Sequence, residues 1–301
     1  MPEPEQELAP GLYLVATPIG NLEDITLRAL RVLRNADRIA CEDTRQTQKL
    51  LNHFEIATPT ISLHQHNERE RAAGLLEALK AGQRIAVVSD AGMPGISDPG
   101  VWLTRAAIAA GIPVCPIPGA NAALSALIAS GLSTTEFHFL GFLPEKAGAR
   151  RTFLETLADA PHTSENKQPT LVLYEAPHRI LETLADLESV WGPSLRVVVA
   201  RELTKVHEEF LRGMVQEVRN ILASRDRIRG EITLLVEPAI RSTGDSAPAT
   251  DLLTRLDQIM AEGLNEKDAL KRLARELGQG KSDLYRELQR ARARKQSSSG
   301  R

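Results

Sequence analysis

Short β-branched runs alternate along this chain with longer stretches whose apolar residues recur every three or four positions, the pattern of an α/β protein. Residues 12–16, 38–41, 84–89 and 113–117 read as strands. The run RIAVVS at 84–89 has the continuous apolar character of a strand buried on both faces of a parallel sheet. Helical periodicity falls between them, over 26–35, 44–52, 68–80 and 99–110. Asn67 followed by Glu70 forms a capping-box pattern, and Asp98 before Pro99 places a cap ahead of a first-turn proline.

A second α/β block begins near Phe137, with strands expected at 170–174, 196–200, 208–211 and 231–236 and helices at 177–190 and 215–224. Residues 159–169 read as an exposed loop. No repeat relates the two blocks. Residues 239–250, AIRSTGDSAPAT, have linker composition, and a small helical segment follows from 251 to 301. The expected organisation is therefore 11–133, 134–238, a linker at 239–250 and a helical appendage at 251–301.

Length and charge refine this picture. At 301 residues the chain is long for one core. Its net charge of −2 argues against nucleic-acid binding by overall charge. The appendage is different, with twelve Lys and Arg against eight Asp and Glu, so positive charge gathers at the C-terminal end. Cys41 and Cys115 offer neither a disulfide framework nor zinc spacing, which fits a reducing cytoplasm. The acidic, proline-containing residues 1–10 are the reverse of a basic signal-peptide start. Residues 106–135 carry no charge, but Pro113, Pro116 and Pro118 break them, so a buried helix end, strand, turn and helix are expected rather than a membrane span.

The richest chemistry follows the RIAVVS strand, in the loop SDAGMPGISDPG at 89–100. A strand ending in an acidic residue, then a Gly/Pro loop and a helix, places that loop at the carboxyl edge of a parallel sheet, where open α/β sheets bind ligands. Asp90 suits a ribose or an amino group, and Gly92 and Gly95 permit close backbone approach. Asp98 reads as a helix cap. The loop is neither GxGxxG nor a P-loop, and Gly280-Lys281-Ser282 lacks the upstream glycine, Arg275 standing there. His64 and His66 flank Gln65 with ligand-like spacing, yet solvated or substrate-facing histidines are the simpler reading, and no metal site is expected.

That loop resembles the signature of the ribosomal RNA small-subunit methyltransferase I family, within the tetrapyrrole-methylase-like superfamily. Further matching strings occur in order: LYLVATPIGNLEDIT (12–26), ACEDTRQTQKLL (40–51), PIPGANAALSAL (116–127), FLGFLP (139–144), YEAPHR (174–179), ARELTKVHEE (200–209) and GEITLLVE (230–237). The resemblance implies two α/β domains with S-adenosylmethionine in the cleft between them, and methyl transfer to the 2′-hydroxyl of a cytidine in the decoding region of small-subunit rRNA. It implies cofactor contacts at Pro18, Asp90, Met93, Gly95, Ile96, Asn121 and Ala122 from the first domain. From the second come Leu173, Tyr174, Ala200, Arg201, Glu231 and Ile232. A homodimer is also expected on this ground.

A sulfonium methyl is already electrophilic, so the protein chiefly has to align the acceptor and exclude water. A ribose hydroxyl is a poor nucleophile, and a base or strong polar orientation would help it. Glu42, Asp43, Arg45 and Lys205 form the candidate catalytic group, with the base unassigned; Asp43 equally reads as a helix cap, and Lys205 would need a lowered pKa to act. Arg45, His178 and Arg179 are candidate RNA contacts, although 175–179 also reads as a helix start. In the appendage, Ala274, Gly278 and Leu284 have helix-turn-helix spacing with Lys281, Arg286 and Arg290 nearby, so the segment is either an RNA-docking module or a helical cap. Two other functions stay open: a small-molecule enzyme of the same fold acting on a tetrapyrrole, and a DNA-binding regulator with an α/β sensor domain. The basic appendage disfavours the first, and the signature loop disfavours the second.

Overall fold

The computed structural model describes residues 8–64, 68–159, 168–238, 249–276, 284–285 and 288–289, leaving aside the side chains of 69, 70 and 249–251. The chain divides into two compact units, Met1–Ala239 and Ile240–Arg301.

In the first unit, β1 (Gly11–Val15), β2 (Arg38–Cys41), β3 (Thr60–Ser62), β4 (Arg84–Val88) and β5 (Val114–Ile117) form one sheet in the order β3-β2-β4-β1-β5. Every pairing is parallel. The helices α1 (Leu27–Asn35), α2 (Thr44–His53), α3 (Glu68–Lys80) and α4 (Val101–Ala109) connect these strands. Apolar side chains fill both faces, Val15, Val32, Leu33 and Ile39 on one, Leu12, Leu75, Ile85 and Leu103 on the other. This is the both-sides burial that the run at 84–89 predicts.

Helix α5 (Ala122–Ser130) leads to a second sheet of β6 (Phe137–Phe142), β7 (Thr170–Glu175), β8 (Arg196–Arg201), β9 (Glu209–Met214) and β10 (Ile232–Glu237), in the order β6-β7-β10-β8-β9. Only β6 and β7 run parallel; the other pairs are antiparallel. Helices α6 (Ala147–Ala158), α7 (Ile180–Trp191) and α8 (Val215–Ala223) pack on one face around Leu154, Leu184, Leu187 and Leu222. The other face is covered by α5, with Ala123, Ala126 and Leu127 against Val172, Val198 and Leu235.

One buried ion cluster helps hold α6 to α7. Arg150 is 1% exposed; its Nε donates to Asp186 Oδ2 at 2.7 Å, and Nη2 lies 3.2 Å from Glu182 Oε2. Burying a guanidinium among leucines is tolerable only with such partners.

The second unit contains α9 (Ala249–Ala261) and α10 (Glu266–Glu276), packed through Leu252, Leu256, Ile259, Leu270 and Leu273, with Leu284 and Leu288 joining the same cluster. Ala274 is buried there, as the small-residue reading expects. Gly278, Lys281, Arg286 and Arg290 lie outside the described residues, as do Asn67 and the side chain of Glu70. Among the described residues no helix is long and apolar enough to cross a membrane.

Candidate functional site

The carboxyl ends of β1, β4 and β5 bring three loops together. Thr17 and Gly92 exchange backbone hydrogen bonds at 2.8 and 3.1 Å, tying the loop after β1 to the loop after β4. Gly92, at φ 84°, carries this turn, and a Cβ there would stand 3.3 Å from Ile19 Cγ2. Asn121 caps α5, accepting from Leu124 N at 2.9 Å. The second sheet contributes the ends of β7 and β8 and the start of β10, which antiparallel pairing brings to the same edge.

Between these loops lies a cavity of about 390 Å³. Nine of the thirteen expected cofactor residues line it: Asp90, Met93, Ile96, Asn121, Ala122, Tyr174, Ala200, Glu231 and Ile232. Four do not. Pro18 is buried inside the pinned β1 loop, and Gly95, at φ 82°, turns the β4 loop behind the lining. Leu173 and Arg201 are corrected by strand alternation: their neighbours Val172, Tyr174 and Ala200 face the cavity side. Leu173 instead packs under the helices on the opposite face. The Arg201 guanidinium pairs with Glu209 at 3.0 Å and donates to the carbonyls of Arg229 and His207.

The four catalytic candidates stand outside the lining. Asp43 is indeed a cap, accepting from Arg45 N at 2.8 Å, and its carboxylate also grips the exposed Arg45 guanidinium, which holds it below the usual carboxylate range. The Asp43 N–H donates to Asp90 Oδ1 at 3.2 Å, so this cluster abuts the cavity rim through Asp90. Glu42 is half-buried, and burial, then the charge of Asp90, pushes its carboxyl up. Lys205 does not have the lowered pKa that it would need to act as a base. Burial does pull its ammonium down, but Glu202 at 2.8 Å and Glu231 at 3.3 Å outweigh burial, and the net shift is upward. Its stem lies across Gly20, where a Cβ would meet Lys205 Cγ at 2.5 Å.

Two further readings change. Arg179 does not offer its guanidinium to RNA, because it donates to the carbonyls of Leu143 and Pro144 and sits 3.3 Å from Glu175 Oε1. His178 is exposed. Asp98 is not a cap: Gly100 occupies that position at φ 119°, and Glu68 Oε1 accepts from Gly100 N and Trp102 N at 2.9 Å each. Asp98 instead lines the cavity. Burial, then the charge of Glu42, raises its carboxyl to about 6, against a hydrogen bond from Ser89. Ile19, Leu203 and Thr233 also line the cavity and were missed; alternation along β10 would have placed Thr233 beside Glu231. Among the described residues no cluster of His, Cys, Asp and Glu could hold a metal ion; His64 is described and His66 is not.

The sequence model of the tetrapyrrole (corrin/porphyrin) methylases matches residues 11–219. The chain is 47% identical over 281 residues to ribosomal RNA small subunit methyltransferase I of Halalkalibacterium halodurans, covering 91% of this chain and 93% of that protein. It is 47% identical over 274 residues to the protein of the same name from Synechocystis sp., covering 91% and 95%. Among solved structures, uroporphyrin-III C-methyltransferase from Thermus thermophilus, complexed with S-adenosyl homocysteine, superposes with a TM-score of 0.53 at 19% identity, covering 75% of this chain and 96% of that one; this likeness is one of fold. The chain belongs to the tetrapyrrole methylase family and, within it, to the ribosomal RNA small subunit methyltransferase I group.

Proposed function

We propose that this protein transfers a methyl group from S-adenosylmethionine to the 2′-hydroxyl of a cytidine in the decoding region of small-subunit rRNA. The observation that carries this reading is the cavity at the carboxyl edge of the parallel sheet, in a chain 47% identical to relatives named for small-subunit rRNA methylation. Its volume falls within the range of small-molecule sites, about 300–1,000 Å³. Its chemistry also fits the cofactor. Ile19, Met93, Ile96 and Leu203 supply apolar wall, while Asp90, Asn121 and Glu231 bring polar groups to it.

The bound cofactor supplies an electrophilic methyl on a sulfonium centre. What remains for the chain is to bind, orient and keep water out. Asp90 and Glu231 bring carboxylates suited to the cofactor's hydroxyl and amino groups, and loop backbone closes round it. Phe142, exposed at the cavity beside Tyr174 at a ring separation of 5.7 Å, offers a face for a splayed base. Arg45 and His178 are exposed and are assigned to phosphate contacts. In this reading residues 11–133 and 134–238 are the two lobes of the enzyme, 239–250 is a linker, and 251–301, with Lys281, Arg286 and Arg290, docks RNA. The protein acts as a cytoplasmic homodimer on the small ribosomal subunit or its rRNA.

The test is transfer of tritiated methyl from S-adenosylmethionine to purified small subunits lacking the modification, with large subunits as control. Label confined to small-subunit rRNA supports the reading. Cofactor binding without transfer to any rRNA would move the acceptor to a small molecule such as a tetrapyrrole.

A further inference from the structure

Strands β8 and β9 end opposite each other at Arg201 and Glu209, and residues 202–208 between them form a hairpin tip at the edge of the cavity. Leu203 lines the cavity, and Lys205 reaches the lining residue Glu231. Beyond them Val206 is 96% exposed, the most exposed large apolar side chain among the described residues, and His207 beside it is exposed too.

A single exposed valine needs no explanation by itself. This one is held out on a loop that is strapped down on both sides. Glu202 N donates to Glu231 O at 2.9 Å, and Glu202 Oε1 accepts from Glu231 N at 3.0 Å and from Lys205 Nζ at 2.8 Å. Thr204 N donates to Glu208 Oε2 at 2.6 Å, while Thr204 Oγ1 accepts from Asn21 N at 3.1 Å and so fastens the tip to the loop after β1. Two turns close the tip, Lys205 N to Glu202 O and Glu208 N to Lys205 O, both at 3.0 Å. Glu202 and Thr204 sit at φ 52° and 65°, left-handed conformations that side-chain-bearing residues keep only where their surroundings impose them. A contact surface held this firmly loses little freedom when a partner meets it.

The flanks of the tip point to the chemistry of that partner. Arg201 donates to Arg229 O at 3.2 Å, which brings the segment before β10 against the hairpin. The side chains of Arg227 and Arg229 on this segment are exposed, and among the described residues neither has a recorded ion partner. The exposed carboxylates nearby are Asp226 and Glu208, the latter occupied with Thr204 N. An apolar side chain and an imidazole ring between exposed guanidinium groups suit a nucleic-acid strand, with base faces on the first pair and phosphates on the second.

We propose that this hairpin tip is a wedge for rRNA: Val206 and His207 pack against the base next to the target nucleotide, in the place that the splayed target leaves in the stack, while Arg227 and Arg229 hold the flanking phosphates. The inference rests on the function proposed above. Apolar side chains inserted at a base step stabilise an unstacked strand. The wedge therefore acts on the rate of transfer once the subunit is bound, and the arginines act on its capture.

The experiment is single-turnover methyl transfer to unmodified small subunits at saturating cofactor, over a range of subunit concentrations. The full-length wild type is compared with Val206→Leu, the double variant Val206→Ser/His207→Ala, and Arg227→Gln/Arg229→Gln, with cofactor affinity read by calorimetry. The Ser/Ala double variant is expected to lose at least about tenfold in rate at saturating subunits and to bind the cofactor within about twofold of wild type. Val206→Leu, which keeps the apolar surface, stays within about threefold of the wild-type rate. The arginine variant needs a higher subunit concentration for half-saturation, and the salt slope of binding falls by about two. A Ser/Ala variant with wild-type rate and half-saturation would overturn this inference alone. So would one that raises only the half-saturating concentration, which makes the tip a docking contact, or one that loses cofactor affinity, which makes it part of the cofactor site. A wild type that methylates no rRNA would overturn the proposed function and this inference with it.

Discussion

A buried carboxylate among other anions should weaken the fold that holds it, and Asp98 gives that cost a size. Its ordinary value of 3.8 is raised to about 6 by burial and by the charges of Glu42 and Asp90. Each unit corresponds to about 1.4 kcal/mol, so ionising Asp98 in the folded state costs about 3 kcal/mol at most, and about 1–2 kcal/mol after solvent screening. The sign follows from linkage. The folded protein prefers the protonated acid, so the favourable contribution is complete below pH 3.8 and is lost as pH rises through about 6. Asp98→Asn removes the ionisation while keeping the shape, and at pH 8 it should be more stable than wild type by that margin. In a unit of this size the gain raises the melting midpoint by roughly 2–8 °C. At pH 4.5 about two-thirds of the advantage should be gone, because wild-type Asp98 is then largely protonated when folded. Melting curves of both proteins at pH 8 and pH 4.5, followed by far-UV circular dichroism, read this directly. An Asn variant that melts lower than wild type at pH 8, or a difference independent of pH, would refute the reasoning.

Other outcomes follow from the same geometry. Asp90→Ala should weaken S-adenosylmethionine binding at least about tenfold, the scale of one charge-assisted hydrogen bond, as read by calorimetry on a folded variant; unchanged affinity would remove Asp90 from the site. Arg150→Ala leaves the buried Asp186 with Arg151 as its remaining ion partner and should cost about 1–3 kcal/mol in denaturant unfolding, whereas no loss would show that Arg151 alone satisfies Asp186. Removing residues 251–301 should weaken capture of small-subunit rRNA in a salt-dependent way and leave cofactor affinity intact; loss of both would make that segment part of the catalytic fold.

Where the chain's own periodicity was strong, the elements could be read directly. The run at 84–89 is β4 nearly to the residue because its apolar side chains are needed on both faces of the parallel sheet. Strand β3, three half-buried residues at an edge, has no such pattern, and α6 carries its buried positions on Arg150, Leu154 and Ala158, where an arginine disguises the core face. At the site, the strand end and glycine turns of the SDAGMPGISDPG loop pointed to Asp90, while Met93 and Ile96 came only from the family resemblance. Leu173 and Arg201 were misplaced because a shared string marks a segment, while alternation decides which of its side chains faces the ligand. The exchange of roles between Asp98 and Glu68 was hidden for another reason. The local rule gives the cap to the nearest carboxylate, and only the packing of α3 against α4 brings in one from thirty-two residues away.

The most direct test is to digest the labelled small-subunit rRNA to nucleosides and identify the methylated product by mass spectrometry. The account predicts a single species, 2′-O-methylcytidine, formed only with active protein and cofactor. Label on a base, or on a ribose of another nucleoside, would contradict the proposed reaction while leaving the methyltransferase fold and its cavity as described.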